Sequence, residues 1–255
     1  MDSMIAKTLA GFEAISLDEL NNKAAMLERL DNKYILPAGA FRPALEKFAE
    51  HFDVLEIEGK RAFTYATKYF DDEELRGYYD HHQDRRKRCK VRVSEYVDAG
   101  FSYLEVKLKD KRKVTVKKRL KIQDEANPLN DQAIEFIEDQ YRGIYAETFG
   151  KSLHLVIAMN YERITLVAKE GGERMTIDTS LQFEANGVVR TVQPDMFIIE
   201  TKSARGNGIA DKILRGLHLH PTKSCSKYCI GMASTGAVKR QNRFLPALRR
   251  LRLAA

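Results

Sequence analysis

In the run Arg86-Lys87-Arg88-Cys89-Lys90-Val91-Arg92-Val93, cations and apolar residues alternate. An extended strand turns successive side chains to opposite faces. Arg86, Arg88, Lys90 and Arg92 therefore share one face, and Cys89, Val91 and Val93 the other. The pattern recurs down the chain. Glu105, Lys107 and Lys109 oppose Leu104, Val106 and Leu108; Lys117, Arg119 and Lys121 oppose Val116, Leu120 and Ile122, with Lys118 breaking the apolar side. Later, Tyr161, Arg163 and Thr165 alternate with Ile164 and Leu166, Arg174, Thr176 and Asp178 with Met175 and Ile177, and Glu200 and Lys202 with Ile199. Such a chain is built for a mainly antiparallel sheet with one apolar and one cationic face.

A cationic face can look into water or into an enclosed interior. Like charges directly opposite one another on paired strands repel, so a sheet that gathers them gives up stability unless an anion offsets them. The formal net charge of +7 agrees with an anionic partner, without choosing among phosphate, nucleic acid and a membrane surface. Isolated carboxylates among the cations, at Glu105, Asp178 and Glu200, suit a phosphate chain accompanied by a divalent metal: Lys and Arg bind phosphate oxygens, and a hard cation takes carboxylate and phosphate oxygens together. Nucleic-acid binding calls for aromatics interleaved with the basic residues. Few aromatics, Tyr96 and Tyr103 among them, stand in this basic block, and no nucleic-acid partner is expected.

The remaining elements follow from local patterns. Ser16, with Glu19 three residues on, predicts a capping box and a helix to about Met26. Residues 29–36 read as a strand, and Pro37 opens a helix carrying Phe41, Leu45, Phe48 and Phe52 on one side. Strands are expected near 53–59, 62–70, 86–97, 101–109 and 113–122, with turns at Gly100 and at 110–112. The polar stretch 75–84 reads as irregular. An amphipathic helix over 129–148 uses Ile134, Ile137, Tyr141, Ile144 and Tyr145. Strands at 154–168, 173–184 and 196–202, a helix near 209–217 and a short basic helix in the tail NRFLPALRRLRLAA complete the chain. With no internal repeat or low-complexity linker, one domain over 1–255 is expected, its core at about 29–232. The fold class is α+β: an antiparallel sheet closed into a barrel, helices packed around it.

The three cysteines, Cys89, Cys225 and Cys229, form no disulfide framework. A zinc site from Cys225 and Cys229 with His218 and His220 lacks the tight paired spacing such sites use. No apolar run approaches the roughly 20 residues that span a bilayer, and the first residues do not read as a secretory signal. A cytoplasmic location is the expectation. The basic segment Arg249-Arg250-Leu251-Arg252 either touches a membrane or partner, or packs Phe244, Leu245 and Leu248 against the barrel end.

The segments RLDNKYIL, ATKYFDDEELRGYYDHH, KVRVSEY, YLEVKLK, TVKKR, NYERI, RMTIDTSL, FIIETK and SKYCIGMA, in this order and spacing, resemble the vacuolar transporter chaperone (VTC) catalytic domain. That domain is a polyphosphate polymerase of the CYTH-like triphosphate tunnel metalloenzyme superfamily. The resemblance implies a closed barrel whose tunnel holds a phosphate chain. It implies Lys33, Lys90, Arg92, Lys117, Arg119, Tyr161, Arg174, Lys202 and Ser226 as substrate-binding residues. It implies Lys227, Arg163 and Lys107 as the residues most directly involved in turnover, and Glu200 as the ligand of Mn²⁺ or Mg²⁺. The superfamily's Glu-x-Glu-x-Lys strand corresponds here to Arg29-Leu30-Asp31-Asn32-Lys33, a departure that agrees with the polymerase branch. Lys90 stands where eukaryotic members carry arginine, keeping the charge but not the bidentate geometry.

The function so implied is transfer of the terminal phosphate of ATP to a growing polyphosphate chain. The alternatives are hydrolysis of the same substrates by a triphosphatase or polyphosphatase, and a non-enzymatic polyanion-binding module. ATP and polyphosphate or triphosphate are the expected partners, and the resemblance allows a membrane-protein partner. His81 and His82 read as surface or structural histidines near the barrel entrance.

Overall fold

The computed structural model describes residues 3–23, 30–109, 115–124 and 126–253. In chain order the elements are α1 (Ser3–Ala10), β1 (Ala14–Ile15), α2 (Leu17–Lys23), β2 (Leu30–Pro37), α3 (Ala38–Phe48), β3 (Phe52–Leu55), β4 (Phe63–Asp71), α4 (Arg76–His82), β5 (Arg88–Tyr96), β6 (Phe101–Lys109), β7 (Thr115–Ile122), α5 (Asp131–Tyr145), β8 (His154–Ala168), β9 (Arg174–Ala185), β10 (Val188–Thr191), β11 (Met196–Ser203), α6 (Ile209–Gly216), α7 (Lys227–Ser234) and α8 (Leu245–Arg250). The fold is mixed α+β. The Ser16 hydroxyl accepts from Glu19 N–H at 3.3 Å while the Glu19 carboxylate accepts from Ser16 N–H at 3.0 Å, which is the reciprocal cap expected of α2. Arg29, Met26 and the turn at 110–112 lie outside the described residues.

All the strands join one sheet, in the order β2-β11-β9-β8-β4-β5-β6-β7, with β10 on β9, β3 on β8, and β1 on β3. The ladders along the main path are antiparallel throughout. One face is apolar, as the alternation required. Tyr34, Leu36, Ile164, Leu166, Met175, Ile177, Phe197 and Ile199 bury against α1, α3 and α6. Val91, Val93, Leu104, Val106 and Leu108 bury against Ala133, Ile137 and Tyr145 of α5. Each fully covered side chain of this size contributes about 1.5–3 kcal/mol, so the helices fix which face points outward.

The other face is concave. Lys107 on β6 lies within electrostatic range of Glu200 on β11 and Lys33 on β2, although β5, β4, β8 and β9 separate β6 from β11 along the ladder. At about 4.8 Å per strand a flat sheet would hold β6 and β11 roughly 24 Å apart. The sheet therefore curls until its two ends face each other across the interior.

The ring is not zipped. Among the described residues β2 and β7 end the strand order and share no ladder, which corrects the expected hydrogen-bonded barrel. Both edges explain it. The outer edge of β2 is taken by the chain after α6, where Thr222 N–H donates to the Lys33 carbonyl at 2.6 Å. β7 carries Lys117, Lys118, Arg119 and Lys121, and charged edge strands resist further pairing.

Three local expectations also change. Phe52 begins β3 rather than continuing α3. Residues 76–82 are helical, not irregular, because the Asp71 carboxylate accepts from Gly77 and Tyr78 N–H and Asp72 from Arg76 N–H. These caps come from the last residue of β4 and the residue after it, outside the local pattern. Helix α7 was not expected either. It seats at one end of the concave face, burying Tyr228, Cys229, Ile230 and Met232 against Ile157, Met159, Phe183 and Ile198. A Cβ at Gly231 would lie 2.5 Å from Ile157 Cδ1 and 2.7 Å from Phe183 Cδ1, so glycine permits this depth. The tail packs Phe244, Leu248 and Leu251 into the same cluster and leaves Arg249, Arg250 and Arg252 exposed. Among the described residues no helix is long and apolar enough to cross a membrane.

Candidate active site

Each expected site residue stands on the concave face or at the N-terminus of α7. They are organised by three carboxylates, each held by cations from different elements. Glu200 of β11 takes Lys33 of β2 on one oxygen and Lys202 at 2.6 Å on the other. Asp178 of β9 receives Arg163 of β8 in a two-pronged contact of 2.6 and 2.9 Å, together with Lys227 of α7. Glu105 of β6 receives Arg92 of β5 at 2.6 Å and Lys117 of β7. Burial alone would raise these acids, but Arg163 and Lys227 hold Asp178 at about 2, Arg92 and Lys117 hold Glu105 at about 2, and Lys202 and Lys33 hold Glu200 well below the usual range.

Lys107 is the informative cation. It is exposed, yet loss of solvation pushes its ammonium down to about 8 against the opposing pull of Glu200. Accessible but surrounded by protein is the condition of a side chain lining a wet interior. Lys202 is likewise pushed down to about 8, Glu200 again opposing. These shifts predict a pH dependence. Both groups carry charge below about pH 8 and lose it above, so affinity for tripolyphosphate should fall as pH rises from 7 to 9. Titration calorimetry at the two pH values checks this; equal affinities would refute it.

Arg174 stands opposite Lys202 in the ladder. Arg119 stands opposite Glu105, its guanidinium 4.8 Å above the Tyr103 ring. Tyr161 is buried, stacked on Tyr65 at 5.4 Å, with Arg163 and Lys227 over its face. Lys90 turns toward the end of the interior. Its ammonium meets His81 Nδ1 at 2.7 Å, Ser226 Oγ at 2.9 Å and Cys229 Sγ at 3.6 Å. Burial, then Lys90, push His81 far below its usual range, so the neutral ring is the acceptor. Lys90 thereby ties β5 to α4 and to the Ser226 cap of α7, one residue from Lys227. The Lys90 contact makes His81 a structural histidine. Sequence reasoning did not assign Asp178 as the link between Arg163 and Lys227, because the two cations come from separate elements and α7 was not foreseen.

The donor set limits what metal chemistry is available. Among the described residues no group of three or more His, Cys, Asp or Glu side chains is placed to hold a metal. Glu105 and Asp178 are 1% and 0% exposed and fully engaged. Glu200 is more open, at 16%. One open carboxylate fits a hard cation whose other ligands are phosphate oxygens and water, and does not fit a metal caged by protein alone.

The chain matches the family model of the VTC domain over residues 28–235. It belongs to the VTC domain family. The match spans every strand that carries the three clamps. Comparison with curated proteins gave no match. Among solved structures, this VTC domain is similar to a Hippeastrum protein described as a candidate adenylyl cyclase with a dominant triphosphatase activity, at 13% identity and a TM-score of 0.45, covering 85% of this chain and 100% of that one. It is similar also to a Bacillus halodurans protein described as a candidate adenylate cyclase, at 11% identity and 0.49, covering 78% and 95%, and to a Pyrococcus horikoshii protein at 15% and 0.44, covering 78% and 96%. Similarity this distant does not bear on activity.

Proposed function

We propose that this VTC domain is a polyphosphate polymerase-like phosphotransferase that passes the terminal phosphate of ATP to a polyphosphate chain held in its interior. The observation that carries the reading is the curled sheet whose concave face gathers Lys33, Lys107, Lys117, Arg119, Lys202 and Lys227 while its buried acids are already saturated. Such a face retains a positive excess that a linear polyanion can meet along its length.

Phosphoryl transfer asks the protein mainly for positioning and electrostatics. Arg163, Lys227 and Lys107 offset charge on the transferring group, and the other cations, with Tyr161 and Ser226, hold the chain in line. The P–O bond to the β-phosphate breaks, ADP leaves, and a terminal oxygen of the acceptor chain forms the new P–O bond. No covalent protein intermediate is needed. Glu200 would hold Mn²⁺ or Mg²⁺ together with phosphate oxygens, and such an ion supplies further charge neutralisation when bound.

Purified protein incubated with ATP and Mn²⁺ should form long polyphosphate, visible by gel electrophoresis. Orthophosphate and ADP alone would instead mean that water is the acceptor, and binding without turnover would mean a polyanion module.

A further inference from the structure

We propose that an aromatic band across β4, β5 and β6 on the concave face seats the purine ring of the phosphate donor. The inference rests on the reading of ATP as donor and extends it to the nucleoside.

Tyr65, Tyr96 and Phe101 are cross-strand neighbours on β4, β5 and β6, and Tyr103 follows two residues along β6 on the same face. The rings touch in series, Tyr65–Tyr96 at 4.8 Å, Tyr96–Phe101 at 4.9 Å and Phe101–Tyr103 at 5.6 Å. Tyr96, Phe101 and Tyr103 are half-buried, yet they belong to none of the hydrophobic clusters among the described residues. Tyr65, at the β4 end of the band, packs against the cluster that α7 enters, whereas among the described residues the helices of the outer face bury other side chains. The area these rings leave uncovered is flat and apolar, and a planar group laid against it would remove that area from water.

A bare polyphosphate chain has no such surface, whereas a purine does. Bases stack on tyrosine and phenylalanine faces and under guanidinium planes. Here the plane is present: Arg119 lies 4.8 Å over Tyr103, and Lys121 5.8 Å over Phe101. The spacing suits the molecule. Tyr103 is four residues from Lys107 along the same strand face, about 13 Å, so phosphates held around Lys107 and Glu200 would project their nucleoside toward the band.

The test is calorimetric titration of the purified full chain with ATP and, separately, with tripolyphosphate, for the natural protein and for Tyr103→Leu, Phe101→Leu and Tyr103→Phe. The Leu variants should weaken ATP roughly tenfold, in the range of one lost base stack, and leave tripolyphosphate unchanged. Tyr103→Phe should keep ATP affinity. Unchanged tripolyphosphate binding also reports that each variant is folded. Equal loss for both ligands, or no loss for ATP, overturns the purine seat while leaving the phosphate reading intact. If the natural protein binds neither ligand, both readings fall.

Discussion

Asp178→Ala should destabilise the protein by about 3–5 kcal/mol, the usual cost of removing one partner from a buried ion pair. Asp178 is fully buried and answers both Arg163 and Lys227. Without it, two cations from β8 and α7 stand side by side with no counter-charge, and the link between strand and helix goes with them. The measurement is the urea midpoint at constant slope. A variant within about 1 kcal/mol of the natural protein would mean that water or rearranged side chains compensate, and that the clamp is dispensable. Acid makes the same point without a mutation. Because the folded-state carboxyls of Asp178 and Glu105 are depressed to about 2, their contribution is present above the ordinary carboxylate range and is lost as the pH falls toward 2.

Glu200→Gln should separate binding from turnover. The side chain keeps its size but frees the ammonium groups of Lys33 and Lys202, while removing the carboxylate whose pull opposes the lowering of Lys107 and Lys202. In mildly acid solution, where the freed lysines keep their protons, metal-free tripolyphosphate should bind more tightly. ATP-dependent synthesis with Mn²⁺ should fall by about 10²–10³, the scale on which removing one electrostatic contributor acts. Steady-state rates and calorimetry on one preparation check both halves. Weaker tripolyphosphate binding would show that Glu200 organises the lysines rather than competing with phosphate for them.

The period-two alternation made most of this legible in the sequence. A cation at every second position from Arg86 to Arg92 has one reading as a strand, and the structure keeps Arg88, Lys90 and Arg92 on one face of β5. What the sequence could not supply was partnership at a distance. Arg163 and Lys227 converge on Asp178 from 15 and 49 residues away. The caps of α4 come from Asp71 and Asp72, and the depth of α7 depends on what Gly231 lacks. Parity is also not continuous along β9. A bulge between β8 and β9, with Ser180 at φ 54, turns Leu181 and Phe183 to the face that Asp178 occupies below it. Strict alternation would have sent them outward.

Among the described residues no ladder fixes the girth of the interior. A barrel closed by a full ladder can widen only by breaking a row of hydrogen bonds together. Here, among the described residues, β2 and β7 share no ladder, and the free edge of β2 is held by a backbone bond from Thr222 to Lys33 rather than by another strand. That latch ties Lys33 of β2 to the chain beyond α6, two segments that the β2–β11 ladder already brings to the same end of the strand order, so it secures one lip of the opening and leaves the other to its charges.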